Sequence, residues 1–367
     1  RRISKKGKKI MTSGGHSEIR LKRGRNNFSS QRGQKLYGAL DLGTNNCRLL
    51  IALPTNPGFK VITSFSRVVR LGEGLAGSGR LSNTAMDRAI EALSICSQKL
   101  RENKVITSRN IATEACRQAR NGGEFLLQIK QETDLAFETI SFKEEARLAL
   151  TGCQSLLTDN SDYALVFDIG GGSTELTWSR LNETRRYEII DVLSLPFGVV
   201  NLSEQHGNDM TGKGFYESTV ENIANELSPF CTKNRIKEYV RAGQVQMLGT
   251  SGTVTTLGAV HLQLPYYARS RIDGLELSFE DILFASKQLT NLNYEERAAL
   301  PCIGRERAEL VIPGCAILDA ICRTWPVGKL RIADRGLREG ILLELMKADG
   351  HSVTGNPPAV MPKGALN

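Results

Sequence analysis

The sequence predicts an α/β protein of two related domains whose Gly-rich loops face each other across a cleft. Two stretches and the distance between them carry that expectation. The first is Leu165-Val166-Phe167-Asp168-Ile169-Gly170-Gly171-Gly172-Ser173-Thr174-Glu175-Leu176, an apolar run broken by one Asp and three glycines that restarts in strand-like residues. It is expected as strand, tight turn and strand. The second, Tyr37-Gly38-Ala39-Leu40-Asp41-Leu42-Gly43-Thr44-Asn45-Asn46-Cys47-Arg48-Leu49-Leu50-Ile51, repeats the order of apolar strand, Asp, Gly, polar residues and strand. The two Asp residues are 127 positions apart, too far for one hairpin, so a duplicated unit is the simplest account.

The chemistry of such a turn follows from its residue types. Glycine permits close approach, so the loop can bare its N–H groups to an oxyanion while Ser173 and Thr174 add hydroxyls. Asp168, at the strand end, is placed to hold a cation against a phosphate. An Asp beside glycines is also ordinary hairpin chemistry. The second copy argues against that plainer account.

Composition bounds the rest. With 367 residues and 40% hydrophobic content the chain can bury a sizeable core and suits two domains better than one. No apolar run approaches a membrane span, and no secretory leader is evident, so a cytoplasmic protein without a membrane partner is expected. The eight Cys and four His form no CxxC pair or cluster, which predicts reduced, mostly buried thiols and no zinc site. The net charge of +9 invites a nucleic-acid partner, but its location does not. Residues 1–36 hold twelve Lys or Arg against Glu18 alone, net +11, and the remainder carries 36 basic and 38 acidic residues, net −2. The basicity belongs to a Gly-, Ser- and Lys-rich tail expected to be disordered, a solvated appendage or sequence upstream of a start at Met11. No specific nucleic acid is expected. The division predicted is a basic tail over 1–36, domains over 37–160 and 161–346, and a disordered tail over 347–367.

Between the two hairpins, 60–71 is expected as a third strand and 72–79 as a loop, after which Ser82 caps a helix whose Met86, Ala89, Ile90, Leu93, Cys96 and Leu100 recur at helical spacing. Asn110-Ile111-Ala112 leads from a strand into a helix starting near Thr113, with Arg117 and Arg120 one turn apart on it. Thr139-Ile140-Ser141 leads into a helix with Glu144 and Glu145 in its first turn. Acids there favour the helix dipole, and adjacent residues point about 100° apart, so at most one can face the cleft. Further on, 185–195 is a strand, 195–201 a turn into a short helix and a weak candidate phosphate loop, and 215–227 an amphipathic helix. Val245 to Gly258 gives strand, small-residue loop and helix, a third candidate phosphate loop. The segment 304–321 is expected as a buried helical segment with Pro313-Gly314 inside it, and 330–342 as strand, loop and closing helix.

Taken together, DLGTNNCRLLIA, ATEACRQARNG, ISFKEEARLALTG, FDIGGGSTEL, LGTSGTVTTLGAV and IADRGLREGIL resemble the exopolyphosphatase/guanosine-pentaphosphatase (Ppx/GppA) family, in the actin-like, sugar-kinase and heat-shock-chaperone superfamily, from about Tyr37 to Met346. The resemblance implies two actin-like, ribonuclease-H-like domains with an interdomain cleft. It also implies Mg²⁺ held by Asp41 and Asp168 with assistance from Glu175. Glu145 matches the base for the attacking water, and Arg117 the arginine that contacts the phosphate chain. Thr44 and Asn45 fall in the first phosphate loop, Gly170, Gly171, Gly172 and Ser173 in the second, and Thr250, Ser251, Gly252 and Thr253 in a loop that contacts nucleotide in superfamily kinases. Thr44-Asn45-Asn46 stands where many relatives have Ser-Asn-Ser. Long relatives also continue into a helical C-terminal domain, so a weaker processive grip on long chains is expected here.

The activity implied is hydrolysis of a terminal phosphoanhydride, with inorganic polyphosphate as the first substrate and guanosine pentaphosphate as the second. A homodimer is compatible with the resemblance. A superfamily kinase using ATP is the first alternative; the missing acceptor-site signature and the placement of Glu145 argue against it. A non-catalytic nucleotide-responsive binding protein is the second, and would be expected to lose Glu145 or one of the aspartates.

Overall fold

The computed structural model describes residues 35–206 and 213–353, with Lys213 described by its backbone alone. Of the two expected tails, only residues 35–36 and 347–353 fall among these.

Two sheets organise the chain. The first comprises β1 (Tyr37–Leu42), β2 (Asn46–Pro54), β3 (Phe59–Val68), β4 (Thr107–Ala112) and β5 (Glu138–Thr139), in the order β3-β2-β1-β4-β5. β1 to β3 form an antiparallel meander, and β4 and β5 continue parallel to β1. The second comprises β6 (Tyr163–Ile169), β7 (Thr174–Leu181), β8 (Tyr187–Leu195), β9 (Val245–Thr250), β10 (Glu276–Ser278) and β11 (Lys329–Ala333), in the order β10-β11-β9-β6-β7-β8. It repeats the plan, with an antiparallel meander, then β9 parallel to β6 and β11 parallel to β9, and adds β10 at the edge. The repeat of the two Asp-Gly hairpins is therefore a repeat of topology.

Strand alternation decides where the aspartates point. Along β1, Leu40 and Leu42 join the core with the helix Asn83–Glu102, while Tyr37 and Ala39 join Leu148, Leu337, Ile341 and Met346 on the opposite face. Asp41 has the parity of Tyr37 and Ala39. Along β6, Leu165 and Phe167 enter the large core of the second half, while Ala164 and Val166 pack with Leu150 and Cys153, and Asp168 has their parity. Both aspartates thus lie on the sheet faces turned towards the same two helices, Phe142–Cys153 and Leu337–Ala348. Those helices trade partners: the first follows the first sheet yet packs on the second, and the last returns to the first sheet.

The two helices cross backbone to backbone. A Cβ at Gly152 would lie 2.0 Å from the Gly336 carbonyl oxygen, and one at Gly340 2.0 Å from that of Leu148. Gly340→Ala must therefore spread the crossing, and overpacking of this kind costs about 1–3 kcal/mol. The expected result is a loss of that size in urea unfolding, with Gly123→Ala, where a Cβ meets nothing within 4 Å, unchanged or more stable. Equal stability of Gly340→Ala and the parent would contradict the close crossing.

Several elements differ from expectation. The loop after β3 contains a short helix, Leu75–Ser78. The helix begun at Glu114 ends at Gln118, so Arg120 leaves it and donates to the Ser78 carbonyl. The segment 304–321 is two helices, Arg305–Ala308 and Val311–Thr324, with Pro313 in the first turn of the second, where its missing N–H has no helical partner to lose. Asp349, expected in a disordered tail, accepts from Tyr37 Oη at 2.6 Å and Lys35 Nζ at 2.5 Å. All eight cysteines are buried and free. Among the described residues, no helix is long and apolar enough to cross a membrane.

Candidate active site

The first loop is held rigidly by its neighbours. Asp41 ends β1 opposite Arg48 of β2, and in the turn between them the Gly43 N–H donates to the Asn46 carbonyl at 2.9 Å. The Thr44 carbonyl accepts from Gly72 N–H, and that of Asn45 from Val69 and Arg70 N–H. Backbone bonds to the segment after β3 thus fix the loop.

The second loop mirrors it. Asp168 ends β6 opposite Glu175 of β7, and Gly170 N–H donates to the Ser173 carbonyl at 2.9 Å. The carbonyls of Gly170 and Gly171 accept from Val199 and Val200 N–H, which open the helix Val199–His206. Those helix N–H groups are therefore spent on the loop, and 195–201 supports the second loop instead of forming another. Glycine is required where the two loops meet: a Cβ at Gly172 would sit 2.8 Å from Thr44 Oγ1, and one at Gly171 3.1 Å from Thr44 Cβ. In the third loop, Thr250 lies beside Asp168 in the β6/β9 register and donates to the Arg335 carbonyl, while Ser251 Oγ accepts from Thr253 and Val254 N–H.

These loops line one cavity of about 610 Å³. Asp41, Thr44, Asn45, Glu145, Asp168, Gly170, Gly171, Gly172, Ser173, Thr250, Ser251, Gly252 and Thr253 all reach it. Arg117 and Glu175 stand one bond behind. Arg117 Nη1 donates to Glu145 Oε2 at 3.2 Å and to the Ile140 carbonyl at 2.8 Å, and Nη2 donates to Glu114. Glu175, 3% exposed, accepts from Ser173 Oγ at 2.6 Å and Ser194 Oγ at 2.9 Å. The adjacent glutamates diverge: Glu144 turns outward to Arg109 and Arg147, and Glu145 turns inward.

Sequence reasoning assigned no role to Arg48, Arg307, Arg338 and Tyr267, which also line the cavity. Arg48 and Arg338 stood inside quoted motifs. Their faces could be read only once strand parity and the returning helix were known.

Burial shapes the electrostatics. Desolvation, then the Glu175 and Asp41 charges, pushes the Asp168 carboxyl up to about 7 against the pull of Arg48. Asp41 is raised by burial, opposed by Arg48 and Arg338. Glu145 is held well above the carboxylate range, first by burial, then by Glu175, with Arg117 opposing. Such a concentration of carboxylates calls for a cation. Among the described residues, no three His, Cys, Asp or Glu gather closely enough to hold a metal by themselves. The donors in reach are oxygens, the Asp41 and Asp168 carboxylates with loop hydroxyls. That set fits Mg²⁺, which keeps several waters and takes one or two carboxylates.

A model of the Ppx/GppA phosphatase family matches residues 50–349. The chain belongs to the Ppx/GppA phosphatase family. A curated relative from Photobacterium profundum, named guanosine-5'-triphosphate,3'-diphosphate pyrophosphatase, is 28% identical over 324 residues, 86% of this chain. The match spans 60% of that relative's length. Among solved structures, the Aquifex aeolicus member of the Ppx/GppA family superposes with a TM-score of 0.70 at 27% identity, covering 87% of this chain and 99% of that one. An exopolyphosphatase from Cytophaga hutchinsonii superposes at 0.74 and 24% identity, covering 86% and 98%, and bears on the fold alone. The two sheets have the actin-like two-domain arrangement of these Ppx/GppA structures.

Proposed function

We propose that the cleft removes the terminal phosphate from a phosphoanhydride chain by attack of water, with inorganic polyphosphate as first substrate and guanosine pentaphosphate as second. The observation that carries this is the placement of Glu145, turned into a cavity lined by Asp41, Asp168 and the glycine loop and gripped from behind by Arg117. The same reading divides the chain into domains at 37–160 and 161–346, the closing helix of the second packing back on the first sheet.

The chain's own residues would divide the work as follows. The loop N–H groups of 171–173 receive the equatorial oxygens of the terminal phosphoryl group, and Thr44 and Asn45 close the site from the opposite loop. Glu145 aligns the water and takes its proton; Arg117 fixes the carboxylate's direction and opposes its protonation. Glu175 holds the Ser173 hydroxyl and so the loop. Mg²⁺ held at Asp41 and Asp168 would supply charge neutralisation on the phosphoryl oxygens.

Phosphate release from tripolyphosphate, guanosine pentaphosphate, and ATP with glucose, each with Mg²⁺ or EDTA, tests the proposal. Orthophosphate from either of the first two in Mg²⁺ and none in EDTA is the expected result. ADP formed only when glucose is present would point to a kinase. Silence on all three would overturn the hydrolase.

A further inference from the structure

The closing helix brings an unpaired cation into the cleft. Arg338 is the second residue of Leu337–Ala348, and its neighbour Glu339 anchors the turn, accepting from Gly336 N–H at 2.9 Å and from Arg269 Nη2 at 2.9 Å. Leu337 and Ile341 pack against Tyr37 and Ala39 on the face of β1 that also carries Asp41. Arg48, with the parity of Leu50 and Ala52 on β2, shares that face. Helix start and strand ends therefore bring Arg338, Arg48 and Asp41 to one corner of the cavity.

What distinguishes Arg338, with its neighbour Arg48, is the lack of a partner. Other arginines drawn into the protein are satisfied: Arg117 by Glu114 and Glu145, Arg269 by Glu339, Arg297 by two carbonyls, Arg335 by Asp273. Among the described residues neither Arg338 nor Arg48 makes a side-chain hydrogen bond or ion pair, and both line the cavity. Burial and Arg48 both press against its charge, with Glu339 and Asp41 opposing. A desolvated guanidinium beside another is costly until an anion arrives.

Its place relative to the base decides which anion. Where the helices Phe142–Cys153 and Leu337–Ala348 cross, Gly336 abuts Gly152 and Gly340 abuts Leu148, so Arg338 is level with residues 148–152 and Glu145 lies about one turn nearer the start of the facing helix. The two side chains therefore reach the cavity at different points along the crossing. In-line displacement needs the attacking water and the leaving oxygen on opposite sides of phosphorus. Resting on the hydrolase proposal above, we propose that Arg338 binds the phosphoryl group next to the one transferred and neutralises the charge left on it. As the water O–P bond forms and the bridging P–O bond breaks, the water's proton goes to Glu145. The electron pair of the broken bond stays on the chain oxygen, where Arg338 meets it.

The test compares wild type, Arg338→Ala and Arg338→Lys. With tripolyphosphate, Arg338→Ala should lose about 10²-fold or more in kcat, and lysine should recover part of it. By calorimetry in Mg²⁺, methylenediphosphonate should bind Arg338→Ala at least about tenfold more weakly, as loss of a charged hydrogen bond predicts, while orthophosphate affinity changes little. A mere counter-charge to Asp41 would weaken both probes alike and raise the Mg²⁺ requirement, and that result would overturn the proposal. So would equal diphosphonate affinity in wild type and variant. Because binding needs no turnover, an inactive wild type contradicts the hydrolase proposal while the diphosphonate comparison still decides this one. Arg338→Gln replaces the alanine variant if the latter melts early.

Discussion

Asp168→Asn and Asp41→Asn are each expected to lose Mg²⁺-dependent phosphate release entirely while remaining folded, and Asp168→Asn should also melt higher than the parent in metal-free buffer at pH 8. The second result follows from the first residue's surroundings. Burial, Glu175 and Asp41 raise its carboxyl from 3.8 to about 7 in the folded protein. An acid that binds its proton more tightly when folded costs stability as pH rises, the loss starting near the unfolded value and complete once pH passes about 7. At pH 8 the amide should gain roughly 1–3 kcal/mol, less than the full linkage figure because Asp168 keeps a face open to cleft water. At pH 4 the advantage should vanish. Saturating Mg²⁺ should close the gap by stabilising the parent alone. Activity in either variant, or an equal melting temperature at pH 8 without metal, would contradict the paired carboxylate site.

Glu145→Gln is expected to lower kcat by about 10²–10⁴-fold, the range of a general base, with KM nearly unmoved and, because burial holds this carboxyl up, a melting temperature no lower than the parent's above neutral pH. Glu144→Gln is the internal control. Glu144 shares the first turn and the dipole, but its carboxylate is committed outward to Arg109 at 3.1 Å and Arg147 at 2.8 Å. Its loss should leave kcat intact and cost at most about 1 kcal/mol of stability. The pH profile adds a check. On the proposed role Glu145 works deprotonated, and burial holds it above the ordinary carboxylate range, so kcat/KM should rise with pH through a limb that Glu145→Gln lacks. Equal activity in the two variants would make the pair a capping device only, and loss at Glu144 alone would move the base by one residue.

Much of this site was legible because it sits in local pattern. An Asp at the end of an apolar strand followed by glycines specifies its own position, and both copies lie where the sequence puts them. Ser82 could be read as a cap because a cap bond spans three residues, and it accepts from the Ala85 N–H at 3.2 Å. What escaped depends on contacts between distant segments. Within 262–303, Ser278 and the helical spacing of Ile282, Ala285 and Leu289 announce one helix, Phe279–Thr290, whereas the shorter helices beside it and the edge strand β10 are set by packing on the second core. The bond from the Arg117 guanidinium to Glu145, 28 residues on, joins two helices and is likewise invisible in local sequence. The helical segment 304–321 comprises two helices parted at residues 309–310, a break that no proline or cap signal announces.

The most direct test of water attack on the terminal phosphorus is hydrolysis of tripolyphosphate, or guanosine pentaphosphate, in H₂¹⁸O with Mg²⁺, followed by mass spectrometry of both products. The account predicts one ¹⁸O in the released orthophosphate and none in the remaining chain. Label in the chain, or orthophosphate free of it, would contradict attack at the terminal group.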